Sequence, residues 1–324
     1  MQRLILAIAG ACLLLGAVCG PASGHVRTDD VPPANSYRQA VESAQAVMMA
    51  SPQEALERAR TAEALIPTIT DFTDPATAQA TVWWLQAEAL LRLARFEDAL
   101  PVAERALEAL GETPPNSKLH ADILTALGRI NKMLGGHGEA LENYQNAYDI
   151  YRDIGEPRSE SITLQGIASL YTDARQYERA VEYFRHALER YQDPALGLSA
   201  NNNIANALTQ LERYDEAELA FEAALTLARD MESASLEARI LENLAIMQVE
   251  AGRYDNAAAS IDLAFERVSD MPDLEWTRFF WGVRSEIAYA RGDISTAISH
   301  MERVFEGRDL TTTTQAYITY HEMA

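Results

Sequence analysis

Tyr177-Glu178-Arg179-Ala180-Val181 returns as Tyr214-Asp215-Glu216-Ala217-Glu218 and again as Tyr254-Asp255-Asn256-Ala257-Ala258. Phe96-Glu97-Asp98-Ala99-Leu100 is an earlier copy, and His137-Gly138-Glu139-Ala140-Leu141 and Ile294-Ser295-Thr296-Ala297-Ile298 are weaker ones. The alanines stand at 99, 140, 180, 217, 257 and 297, so the spacings are 41, 40, 37, 40 and 40. A fixed period of this length marks stacked copies of one supersecondary unit.

Other columns keep the register. Twelve residues before each alanine stands a small residue: Ala87, Gly128, Ala168, Ala205, Ala245, Ser285. Seven after it stands Ala106, Ala147, Ala187, Ala224 or Ala264, with Val304 the exception, and four after it a packing residue: Ala103, Tyr144, Phe184, Phe221, Ile261, Met301. Small residues at fixed places in two helices let their backbones approach closely. Gly135, Gly252 and Gly292 mark a turn inside three copies. Pro75, Pro114-Pro115, Pro157, Pro194 and Pro272 read as stoppers between copies. Each unit is then two antiparallel helices, near 80–110, 120–153, 160–192, 198–230, 236–269 and 276–306. A partial unit is expected over 36–66, and 311–323 reads as one last, lone helix.

Composition agrees. Of 324 residues 54 are Ala, 16 Gly and 12 Pro, which favours packed helices over strands. The formal charge of −21 argues against nucleic acid or anionic lipid as partner, because phosphates are repelled.

The first 24 residues read as an address. Arg3 precedes an apolar and small-residue run from Leu4 to Cys19, and Ala22-Ser23-Gly24 offers small residues for cleavage before His25, the pattern of a secretory signal peptide. Retention as an anchor is the alternative. Neither Cys12 nor Cys19 has the surroundings of a lipidation site. Both leave with the signal, so the cleaved chain has no thiol. Residues 25–35 are expected to be a flexible lead-in, and the product to be periplasmic or secreted, with no membrane span after cleavage.

These columns resemble the tetratricopeptide repeat. Ile204-Ala205, Tyr214, Ala217, Phe221 and Ala224 match its pattern closely, as do Leu244-Ala245, Tyr254, Ala257 and Ala264. Trp83, Ala87, Phe96, Ala99 and Ala106 match too, with Leu164, Ala168, Tyr177, Ala180, Phe184 and Ala187. The resemblance covers 80–306 well and 36–324 loosely. It implies an all-α, right-handed superhelical solenoid whose first helices line a groove. The period of about 40, against the family's 34, implies about six extra residues per unit in helices or linkers. Groove positions implied by the resemblance are Trp84 and Glu88, Arg129 and Lys132, Gln165 and Ser169, Asn202 and Asn206, Arg239 and Glu242, and Glu286 and Tyr289. Asn202 and Asn206, four apart on one helix face, are suited to hydrogen-bond an extended peptide. With only Lys118 and Lys132 in the chain, the family's lysine clamp for a terminal carboxylate is not supported. Trp83 and Trp281 fall at the family's bulky core position, leaving Trp84 and Phe279 or Phe280 exposed or packed on a flanking unit.

Catalytic signals are poor. Gly135-Gly136-His137-Gly138 falls at a helix turn, not after a strand. His321-Glu322 opens a zinc-protease phrase that has no second His, and the other histidines lack an i, i+4 partner. No catalytic residue, metal or cofactor is expected. The leading expectation is a non-catalytic exported scaffold that binds a protein or peptide in its groove. The alternative, from likeness to signalling proteins that begin with an exported tetratricopeptide array, is the sensory half of a diguanylate cyclase or histidine kinase whose membrane helix and output domain are absent here. A homodimer through the C-terminal end is a third reading.

Overall fold

Two helices, a tight turn, and the same again: the computed structural model repeats this unit seven times over the described residues, 33–69, 74–111, 117–271 and 277–306. The helices are α1 (Pro33–Val47), α2 (Pro52–Leu65), α3 (Pro75–Arg92), α4 (Phe96–Ala109), α5 (Lys118–Met133), α6 (His137–Ile154), α7 (Pro157–Asp173), α8 (Tyr177–Arg190), α9 (Pro194–Gln210), α10 (Tyr214–Asp230), α11 (Ala234–Glu250), α12 (Tyr254–Arg267), α13 (Arg278–Ala290) and α14 (Ile294–Val304). Among the described residues there is no strand. The signal segment 1–24, most of the lead-in 25–35, and the last helix expected at 311–323 lie outside the described residues.

The repeat columns are the core. Ala99, Ala140, Ala180, Ala217, Ala257 and Ala297 are all 0% exposed, and so are Ala87, Ala168, Ala205, Ala245 and Ser285 twelve residues earlier. Methyl-sized groups on both helices of a pair leave the backbones in contact, and the residue four further on fills the space beside them: Phe184, Phe221 and Ile261 are fully buried. Ser285 keeps its hydroxyl in this dry contact by donating to the Ala297 carbonyl at 2.7 Å, which satisfies the group burial would otherwise penalise. A further buried column lies five residues before the small one: Val82, Ile123, Thr163, Ala200, Ile240 and Phe280 are between 0 and 3% exposed. The core aromatic of α13 is therefore Phe280, not Trp281. Trp281 is half-buried at the rim, its ring 5.0 Å from that of Phe265; adjacent helical residues point about 100° apart, so only one of the two faces the core.

Every turn within a pair from α3 onward has one construction. The residue five before the marker alanine is left-handed: Ala94 (φ 56°), Gly135 (83°), Arg175 (57°), Glu212 (57°), Gly252 (72°), Gly292 (80°). The next amide then reaches back to close the helix, as in Arg95 to the Leu90 carbonyl at 2.9 Å and Arg253 to that of Gln248 at 2.7 Å. Glycine marks only half of these turns. Ala94, Arg175 and Glu212 hold the same shape against the steric preference of their Cβ.

The prolines between copies act otherwise than as stoppers. Pro75, Pro157 and Pro194 are the first residues of α3, α7 and α9, where the missing N–H is no loss and the fixed φ suits the helix. Asp74 and Asp193 cap two of these starts through the Thr77 and the Ala195 and Leu196 amides, each at 3.0 Å. Pro114-Pro115 and Pro272 lie outside the described residues. The period above 34 is absorbed mainly by the helices: α5, α7, α9 and α11 have 16 or 17 residues.

The described residues fall into two compact units that divide between Gly166 and Ile167, inside α7. Unit 1 has a core from Ala44 to Ile130 and a smaller cluster of α5 and α6 around Tyr151. Unit 2 has one continuous core from Ala168 to Ile287. In unit 1 the Tyr144 ring of α6 fits a slot between two glycines. A Cβ at Gly128 meets it at 2.8 Å, and one at Gly166 at 2.7 Å.

Gly166→Ala is expected to destabilise the chain by about 1–3 kcal/mol through overpacking, and to cost much less when Tyr144 is also Leu. Urea melts of the two singles and the double measure that coupling. Gly252→Ala, at a left-handed turn with open space around it, is expected to cost about 1–2 kcal/mol.

Candidate binding groove

First helices touch first helices: α3 meets α5 in unit 1, and α11 meets both α9 and α13 in unit 2. Each unit therefore has a face built from first helices alone. In unit 1 the first helices α3 and α5 carry Trp84, Glu88 and Arg129. In unit 2 the first helices α9, α11 and α13 carry Asn202, Asn206, Arg239, Glu242, Glu286 and Tyr289.

In unit 1 this face is occupied by its own side chains. Arg129 Nη1 donates to both carboxylate oxygens of Glu88, at 2.8 and 3.0 Å. Arg92 adds a second guanidinium 3.7 Å from the same carboxylate. Arg129 is thus an internal partner, not an open cation. Lys132 and Gln165 are half-buried and each interacts with another group of the chain, as does Ser169 in unit 2. Trp84 is half-buried against the unit 1 core, and its buried Nε1–H meets no acceptor. Its neighbour Trp83, also half-buried against that core, donates through Nε1 to Glu63 at 2.8 Å, and Arg105 lies 4.2 Å above its ring. Nearer the start of α5, Tyr151 donates to Asp122 at 2.7 Å, and Lys118 donates to the same carboxylate at 2.8 Å. Burial, reinforced by the Asp122 charge, pushes the Tyr151 phenol far above its usual value, so it remains a donor at any physiological pH.

Unit 2 is more open. Helix α9, Pro194–Gln210, carries no charged residue. Asn202 accepts from the Asn243 amide of α11 at 3.0 Å, an amide pair linking neighbouring first helices. Asn206, one turn on, is exposed. The two buried glutamates of α11 contrast. Glu237 is held by Arg229 at 2.7 Å and Arg267 at 3.0 Å. Glu242, 9% exposed, accepts no hydrogen bond and forms no ion pair among the described residues. Arg239, half-buried one turn earlier, offsets only part of that burial, and the Glu242 carboxyl is pushed up to about 7. On α13, Phe279 is 42% and Tyr289 52% exposed, with Glu286 between them. Glu286 is exposed to solvent, but the protein packed around its base desolvates it in part, and that desolvation, then the Glu250 charge, raises its carboxyl too.

The repeat register alone places these side chains on first helices. It does not tell that Arg129 is consumed by Glu88, nor that Glu242 is buried without a partner. Both arise from contacts between successive repeats, 41 residues apart for Glu88 and Arg129. Among the described residues no three His, Cys, Asp or Glu side chains converge as a metal site, and no helix is long and apolar enough to cross a membrane.

Residues 78–153 and 119–193 match one family model described as tetratricopeptide repeat, and residues 166–232 match another of the same description. With the helix-pair fold, these matches make the chain a tetratricopeptide-repeat protein, whose architecture is that of an interaction scaffold. Comparison with curated protein sequences gives no match. Among solved structures it is similar to the apo form of RapI (TM-score 0.70, 14% identity, covering 89% of this chain and 79% of that one). It is also similar to a Rap protein complexed with Competence and Sporulation Factor (TM-score 0.61, 16% identity, 92% and 88% covered). A third is a signal-transduction ATPase with a tetratricopeptide repeat sensor from Pyrococcus horikoshii (TM-score 0.66, 15% identity, 90% of this chain and 42% of that one covered). At these identities the likeness is one of fold.

The Glu242 shift predicts a pH effect. Its carboxyl holds a proton in the native state that the unfolded chain releases, so stability falls as pH rises from about 4.5 to about 7. Glu242→Gln removes that penalty and is expected to be more stable than the parent above pH 7, by about 3 kcal/mol. The gap closes near pH 4.5. Thermal melts at pH 4.5, 6 and 8 measure it.

Proposed function

We propose that this chain is a non-catalytic scaffold, working in the periplasm or after secretion, that binds an extended protein or peptide segment along its first helices. The supporting observation is the face of unit 2, where exposed Asn206 stands one turn from the Asn202–Asn243 pair. An amide offers both donor and acceptor, which suits a peptide backbone that presents both in alternation. The array architecture supports it as well, because each repeat packs only on its neighbours and leaves a long surface free. For the location, the support is the charged, apolar and small-residue order of residues 1–24.

A second reading, a sensory input module for a separate output partner, is favoured by the tetratricopeptide repeat sensor of the Pyrococcus horikoshii ATPase and by the Rap protein complexed with its factor. The two readings share the groove and differ in whether binding triggers an output elsewhere.

Capture of a random-sequence peptide library by the immobilised chain tests the groove. Asn202→Ala/Asn206→Ala is expected to reduce capture at least tenfold with the fold intact by circular dichroism; undiminished capture sinks the amide reading. Expression of the full sequence in a bacterium with its native signal tests the location. Periplasmic protein beginning at His25 is the expected outcome, and retention in the cytoplasm at full length the opposing one.

A further inference from the structure

We infer that the α11–α13 face of unit 2 is a site for a cationic side chain, an arginine or lysine of an extended protein segment, seated against Glu242 and Glu286. This rests on the peptide-binding reading above and names the chemistry of the bound segment.

Three independent features of α11 and α13, two helices in contact with each other, support it. The first is an acid only partly balanced: Glu242 is nine-tenths buried, no hydrogen bond or ion pair reaches its carboxylate from any described residue, and Arg239 one turn earlier offsets only part of that burial. Burying a carboxylate is costly unless it is paired, and the protein pairs its neighbour Glu237 twice over. The second is the local charge. Arg239 is the single cation of α11, beside Glu242 on the same helix and Glu286 on α13. Arg253 of α12 is held by Glu218 at 2.7 Å, Arg284 of α13 by Asp262 at 2.5 Å and Arg291, just past α13, by Asp255 at 2.5 Å, and Arg278 at the start of α13 is engaged as well. The third is room. Gly282, forty residues after Glu242 and so at the same repeat position, has nothing within 4 Å of where a Cβ would sit. Phe279, Gly282, Glu286 and Tyr289 succeed one another at helical spacing on one face of α13, so exposed rings flank the open position and its acid. A guanidinium placed there meets carboxylates and aromatic faces together.

The test uses the chain from His25 and two fluorescein-labelled, amidated nonapeptides of glycine and serine. One carries arginine at positions 2, 5 and 8; the other carries neutral citrulline instead. By anisotropy at 0.15 M salt, the arginine peptide is expected to bind at least tenfold more tightly than the citrulline peptide. Glu242→Gln/Glu286→Gln should abolish that difference. Gly282→Leu, which fills the open position without changing charge and suits a helix better than glycine, should weaken binding at least fivefold. Glu222→Gln/Asp230→Asn, at two exposed acids on α10, should leave binding unchanged. Equal weakening in the α10 pair, which marks mere attraction to an acidic protein, overturns the inference. So does undiminished discrimination in Glu242→Gln/Glu286→Gln. If discrimination fails while library capture still depends on Asn202 and Asn206, the cation site falls and the groove stands. If arginine binding depends on Glu242 and Glu286 while capture ignores the asparagines, the reverse holds.

Discussion

Contact between methyl-sized side chains across each helix pair is the constraint on which the remaining structure depends. Ala87 with Ala99, Ala205 with Ala217 and Ala245 with Ala257 are all removed from solvent, and each pair sets two backbones close enough for one tight turn to join them. The left-handed residue, the returning amide and the larger side chain four residues on all stem from that spacing. Where the small residue must be polar, as at Ser285, its hydroxyl is immediately bound to the opposite helix. A larger group at any of these positions pries apart a pair and, through it, the faces that the neighbouring helices need.

Such contacts are local in sequence, which is why the fold is legible there. Alanines twelve residues apart, recurring about every 40, announce a helix, a turn and a helix. Two kinds of feature escape that reading. Some signals carry a double meaning: proline ends one helix and begins another equally well, and Pro75, Pro157 and Pro194 begin them. Others are absent from composition altogether. Nothing in Arg175 or Glu212 declares a left-handed residue; the shape is imposed by helix pairs already fixed on either side. The neighbouring bulky positions of α13 are told apart only by packing, which buries Phe280 and leaves Trp281 at the rim.

The face of first helices shows the same division. Register assigns side chains to that face, but their electrostatics depend on partners a full repeat away. Glu88 and Arg129 neutralise each other in unit 1; in unit 2 the asparagines bind amide to amide and Glu242 is left without an ion pair or hydrogen bond among the described residues. One scaffold thus offers a charge-paired surface in one unit and one with an unpaired acid in the other. Nothing in the core columns, which are alike in both, distinguishes them.

The glycine slot around Tyr144 bears on how such arrays diversify. Its aromatic ring is supplied by one repeat, while the space for it is hollowed from that repeat's own first helix at Gly128 and from the next one at Gly166. The unit of inheritance here is larger than the unit of repetition. Duplication or exchange that cuts between α6 and α7 carries the ring away from half its socket, so recombination at the apparent module boundary is penalised although the backbone there looks interchangeable. A shuffled or designed variant of this array must move α5 to α7 together.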